Sequence, residues 1–143
     1  MRIYMDNCCY NRPYDDQSQI RISLETEAKL YIQELVVKGK AELVQSFILK
    51  FENGNNPFEI RRNSIHNFLK TRSSEFVNES PEIYEIANHI NQTGVMAKDS
   101  LHIACAIHSK CDYFISTDDR ALKYEDDRIK IIDPIGFIKK WEV

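Results

Sequence analysis

Asp6, Glu52, Asp99 and the adjacent pair Asp118-Asp119 are the residues of this chain best suited to chemistry. Asp6 follows the apolar run Met1-Arg2-Ile3-Tyr4-Met5, and Asp118-Asp119 follow Tyr113-Phe114-Ile115-Ser116-Thr117, so these acids are expected at the ends of two strands. Asp99 opens an apolar helix, and Glu52 falls in a short helical stretch behind a further candidate strand. In an open parallel sheet the carboxyl ends of the strands border one crevice, where ligands bind. Carboxylates gathered there repel one another unless a cation neutralises them. Hard divalent ions take oxygen ligands, so the pattern points to metal-dependent phosphodiester chemistry.

Each acid also has a plainer reading. Asp6 and Asp118 suit turn or helix capping, Asp99 complements a helix dipole by about 0.3–1 kcal/mol, and Glu52 suits a solvated helix end. The joint case is stronger, because acids at the ends of parallel strands face the same edge of the sheet.

Other chemistries lack their residues. There is no G-x-x-x-x-G-K-[ST] loop, and the chain has only four glycines. No G-x-S-x-G elbow and no cysteine nucleophile with a spaced histidine is present. Cys8-Cys9, Cys105 and Cys111 make no C-x-x-C zinc pair and read as reduced, structural residues. His102 and His108 stand six residues apart and do not share a helical face. His102 reads as a partly buried helix residue or an outer group of the site, and His66 and His89 have no visible partners.

The elements that must position the acids follow an α/β pattern. A strand over residues 2–6 leads into Asn7–Pro13, where proline and asparagine signal a turn. Ile20, Leu24, Ala28, Tyr31 and Leu35 recur at helical spacing over 18–38, and Gly39 ends that helix. A second strand is expected over 41–46, then a short helix over 47–53 and another helix carrying Phe58, Ile65, Phe68 and Leu69. Ser80-Pro81 starts a helix with Ile83, Ile86, Ala87 and Ile90 inward. A helix over 97–109, strands over 113–117 and 128–132, and a last helical turn from Asp133-Pro134 complete the series.

The 143 residues fit one domain able to bury about two-thirds of its unfolded surface. No apolar run approaches the roughly 20 residues of a membrane span, and no charged-then-apolar leader is visible, so the expected compartment is the cytoplasm. A net charge of −3 gives no global attraction to nucleic acid. Arg61-Arg62, Lys70, Arg72, Lys123 and Lys139-Lys140 are either solvated faces or a positive border to an acidic site.

Four segments together resemble the PIN-domain family of metal-dependent ribonucleases: Ile3-Tyr4-Met5-Asp6-Asn7, Ser46–Glu52, Lys98–Ala104 and Asp112–Asp119. The helix-opening acid followed by a strand ending in Thr-x-Asp is the most specific of these. The resemblance implies one PIN-like domain over 1–143, a three-layer α/β/α fold with a mostly parallel sheet, and endoribonuclease activity dependent on Mg2+ or Mn2+. It implies catalytic acids at Asp6, Glu52, Asp99 and Asp119. Metal ligands would be Asp6, Asp99 and Asp119, with Asp118 as substitute or assistant, and Thr117 and Asn7 would position substrate. RNA is the implied substrate; an antitoxin protein and a second copy of the chain are the implied partners, with the helices over 18–38 and 58–72 as candidate faces. The segment Cys8–Pro13 departs from the small or hydroxylated residues usual after the first acid. The alternative is a catalytically inactive PIN-like domain that binds RNA or protein. A phosphoacceptor domain fits less well: the first strand ends Asp6-Asn7, without a paired acid, and Ile131–Pro134 offers no lysine.

Overall fold

Residues 1–142 are described by a computed structural model. Arg2–Met5 (β1), Glu42–Ser46 (β2), Ser73–Val77 (β3), Tyr113–Ile115 (β4) and Lys130–Ile132 (β5) form one sheet in the order β3-β2-β1-β4-β5. Every pairing is parallel. The chain leaves β1 toward β2 and β3 on one side, then crosses to β4 and β5 on the other. The reversal lies between β1 and β4, which is where ligands bind in such sheets.

The helices cover both faces. Asn7–Asn11 (α1), Ile20–Val37 (α2), Glu59–Arg72 (α4) and Pro134–Trp141 (α8) pack over Ile3, Met5, Leu43 and Ile115. Phe47–Gly54 (α3), Pro81–Gln92 (α5) and Ala97–His108 (α6) pack over Tyr4, Val44 and Phe114. Asp119–Leu122 (α7) follows β4. Ile3 and Met5 point to one side and Tyr4 to the other, as the two-residue period of a strand requires. All three are fully buried, because helices close both faces of a parallel sheet. Tyr4 stacks on Phe114 with ring centroids 5.5 Å apart.

Local chemistry sets the helix starts. Ser46 Oγ accepts from Leu49 N to cap α3, and Ser80 caps α5 with Pro81 in its first turn. Asp133 accepts from Gly136 N at 2.7 Å to cap α8. A Cβ at Gly136 would come within 2.7 Å of that same carboxylate and 2.8 Å of Ile132, so only glycine fits there. Gly39, at φ +72°, ends α2 in the left-handed conformation expected of it.

Two elements differ from the sequence reading. The Asn7–Pro13 segment is helical, α1 running into a 3-10 turn over Arg12–Tyr14, because the Asp6 carboxylate caps it by accepting from Asn7 N. A strand not expected from the sequence, β3, forms the sheet edge. Arg2 ties that edge in, reaching Glu42 at 2.8 Å and Glu75 at 3.0 Å. The four cysteines are free. Among the described residues no helix is long and apolar enough to cross a membrane.

Candidate active site

β1 delivers Asp6 to the carboxyl edge of the sheet at the point where the strand order reverses. Only 6% exposed, it is held from both sides. Asn7 N donates to its Oδ1 at 2.8 Å and Ser116 Oγ, just past β4, donates to its Oδ2 at 3.0 Å. Glu52 arrives from α3, whose start Ser46 fixes. Asp99 and His102 lie three residues apart on α6 and share one face of it. Asp118, the cap of α7, accepts from Arg120 N at 2.9 Å.

Asp6, Asn7, Glu52, Asp99 and Asp118 line one cleft of about 350 Å³. Asn11 and Asp15 form part of its wall. His102, read from the sequence as a partly buried helix residue or an outer group of the site, stands directly behind its acids. It is 1% exposed, and its Nε2 is hydrogen-bonded to Glu52 Oε1 and stands 3.8 Å from Asp6 Oδ1. Its Nδ1 lies 2.6 Å from the Tyr4 hydroxyl, which is also 2.6 Å from Ser46 Oγ. One of those contacts uses the tyrosine proton and the other its lone pair. The chain Ser46–Tyr4–His102–Glu52 thus joins β2, β1, α6 and α3 behind the cleft. The three-residue spacing from Asp99 is the signal that ties His102 to the site.

The electrostatics show crowded negative charge. Burial raises the Asp99 carboxyl above the ordinary range, and the charges of Asp6 and Asp118 raise it further. Burial pulls the His102 imidazole down, but Glu52, Asp6 and Asp99 outweigh that and leave it raised. Asp6, Glu52 and His102 each offer a ligand atom, and these atoms lie within 4.8 Å of one another. Carboxylate oxygens at this spacing suit a divalent ion, and His102 holds Glu52 in place beside them.

Asp119 and Thr117 are not brought into the cleft. Asp119 turns outward, with its side chain 66% exposed, and pairs with Arg21 at 2.7 Å. The Arg21 guanidinium holds its carboxyl below the ordinary range. Arg21 also reaches Glu25, which is buried on α2 and paired with Arg12 at 3.0 Å. Thr117 is buried behind the rim, where its N–H donates to Cys8 Sγ at 3.3 Å and its carbonyl accepts from Arg21. Cys8 stands beside Asp6, with Sγ 3.6 Å from Asp6 Oδ2 and 3.5 Å from Ser116 Oγ.

No protein-family model matches the sequence, and no curated protein matches it. Among solved structures, the chain is similar to one in the crystal structure of VapBC2 from Rickettsia felis bound to a DNA fragment from their promoter. The TM-score is 0.58 at 12% identity, over 92% of this chain and 97% of the other. The likeness is one of fold, the three-layer, PIN-like α/β/α architecture.

Proposed function

We propose that this protein is a metal-dependent endoribonuclease of the PIN type. The observation that carries the reading is the convergence of Asp6, Glu52, Asp99 and Asp118 in one cleft at the switch point of a parallel sheet, with His102 buried behind Asp6 and Glu52. The fold shared with a chain of the VapBC2 complex supports it, and extends it to a toxin acting within a toxin–antitoxin pair. In that reading RNA is the substrate, an antitoxin protein and a second copy of the chain are partners, and the cytoplasm is the compartment.

The donor set fits Mg2+ or Mn2+: carboxylates dominate, and burial together with the charges of Asp6 and Asp118 raises the Asp99 carboxyl. Asp6, Asp99 and Asp118 would hold the ion, with Asp119 the alternative to Asp118. Bound there, a divalent ion supplies an acidified water and neutralises charge on the phosphate. The remaining work falls to the protein's own groups. Glu52, fixed through Oε1 by His102, has Oε2 free to take a proton from the attacking water. The Asn7 side-chain Oδ1 accepts from Asn11 Nδ2 at 3.2 Å, which leaves the Asn7 side-chain N–H groups to donate to a phosphate oxygen. Thr117 acts at one remove, orienting Cys8 and Arg21.

The second reading, an inactive PIN-like domain that binds RNA or protein, draws support from one feature. Asp119 points away from the cleft into its pair with Arg21. Cleavage of a mixed RNA pool with Mn2+ or Mg2+, against EDTA and against Asp99→Asn, separates the two. Cleavage lost in both controls supports the nuclease. RNA binding without cleavage supports the inactive domain.

A further inference from the structure

Arg61, in the first turn of α4, is sandwiched between two aromatic rings. Its guanidinium carbon lies 4.2 Å from the Phe58 ring centroid and 4.6 Å from that of Tyr14. Its Nε is enclosed without a hydrogen-bond partner, and none of the arginine ion pairs among the described residues includes it. The neighbouring arginines are spoken for: Arg12 pairs with Asp15 and Glu25, and Arg62 donates to Asn56 O. Among the described residues Arg61 therefore has no ion-pair partner, and its terminal N–H groups have no acceptor. Tyr14 is 41% exposed and Phe58 is 56% exposed, so both residues present surface to solvent.

The stack is moored to the acidic cleft. Tyr14 precedes Asp15, a wall residue. Asn11, another wall residue, accepts from Asn56 Nδ2 at 3.1 Å, and Asn56 Oδ1 accepts from Phe58 N at 3.1 Å. A folding role alone does not call for this composition, since an exposed cation–π contact contributes little and an aliphatic residue would clamp α4 as well. Exposed aromatic residues beside an unpaired guanidinium are what unpaired nucleotides use: bases stack on the rings and phosphate oxygens take the arginine N–H groups. A duplex keeps its bases stacked inside and has none to offer.

We propose that the Tyr14–Arg61–Phe58 stack is a subsite for an unpaired nucleotide of RNA flanking the bond held in the acidic cleft. The proposal rests on the nuclease reading and makes the enzyme selective for single-stranded RNA.

The test is fluorescence anisotropy of a labelled single-stranded RNA oligomer and its duplex on the whole chain, with Ca2+ in place of Mg2+. Tyr14→Leu and Phe58→Leu keep the apolar cover and remove the rings, and far-UV circular dichroism checks that they fold. Each is expected to weaken single-strand binding by about fivefold or more, with duplex binding little changed. Arg61→Gln is expected to weaken binding and to flatten the slope of log affinity against log salt by about 0.7. Mn2+ binding at the acidic cleft, followed by calorimetry, should be the same in all three variants as in wild type. If the variants bind single strands with wild-type affinity and salt slope while wild type cleaves RNA, the subsite is wrong and the nuclease reading stands. Equal weakening for single strand and duplex overturns the single-strand selectivity. A wild type that neither binds nor cleaves RNA removes both.

Discussion

Replacing Lys29 with methionine removes a buried charge while keeping the length of the side chain. Lys29 lies on α2 at 5% exposure, beneath α1, with its ammonium 5.5 Å from the Tyr10 ring centroid. Burial lowers it from 10.5 to about 8. Between those values the unfolded chain holds a proton that the folded chain does not, so the stability this group contributes rises with pH. It is complete above 10.5 and lost as the pH falls through 8. At 1.36 kcal/mol per unit the shift is equivalent to about 3 kcal/mol at pH 7. Part of it, about 2 kcal/mol, is recovered by pH 9.5. The Lys29→Met protein has no such dependence. It is expected to be more stable than wild type at pH 7, by about 3 kcal/mol less the 0.5–2 kcal/mol of the lost cation–π contact. That advantage should shrink by about 2 kcal/mol at pH 9.5. Urea unfolding of both proteins at the two pH values measures this directly, with the other titrating groups cancelling in the difference. A pH-independent difference, or a methionine variant less stable at pH 7, would refute the reasoning.

Three further outcomes follow from the same geometry. Tyr4→Phe keeps the stack on Phe114 but leaves His102 Nδ1 and Ser46 Oγ without their 2.6 Å partner, so denaturant unfolding should show a loss of about 1–3 kcal/mol. Asp99→Asn should stabilise the metal-free protein at pH 7, with a gain that fades toward pH 4, because a raised carboxyl contributes stability only below its folded value; calorimetry should show Mn2+ affinity down about tenfold or more. Glu25→Gln removes the buried partner of Arg12 and Arg21 and should cost roughly 3 kcal/mol in thermal unfolding, against under about 1 kcal/mol for loss of the exposed Arg21–Asp119 pair.

Much of the sheet is legible in the sequence because burial on both faces demands apolar runs. Ile3–Met5, Leu43-Val44 and Phe114-Ile115 announce β1, β2 and β4 in this way. Ser80-Pro81 and Asp133-Pro134 announce their helices through capping chemistry. The strand β3 is hidden for the converse reason. As an edge strand reading Ser-Ser-Glu-Phe-Val it buries only Val77, and it follows α4 with no turn residue between them. Proline and asparagine in 7–13 suggest a turn, yet the helical cap Asp6 provides outweighs them. The acids of the cleft are legible as types at strand and helix ends. What the linear pattern lacks is the rotation of each helix. That rotation turns His102 onto Glu52, and it sends Asp118 into the cleft while its neighbour Asp119 meets Arg21.

The most direct measurement of the central claim is a Mn2+ titration of wild type and Asp6→Asn by calorimetry, with cleavage of a mixed RNA pool followed in the same samples. The account predicts metal binding and metal-dependent cleavage in wild type, and loss of both in a folded Asp6→Asn protein. Unchanged cleavage in that variant, or a wild type that binds no divalent ion, would contradict it.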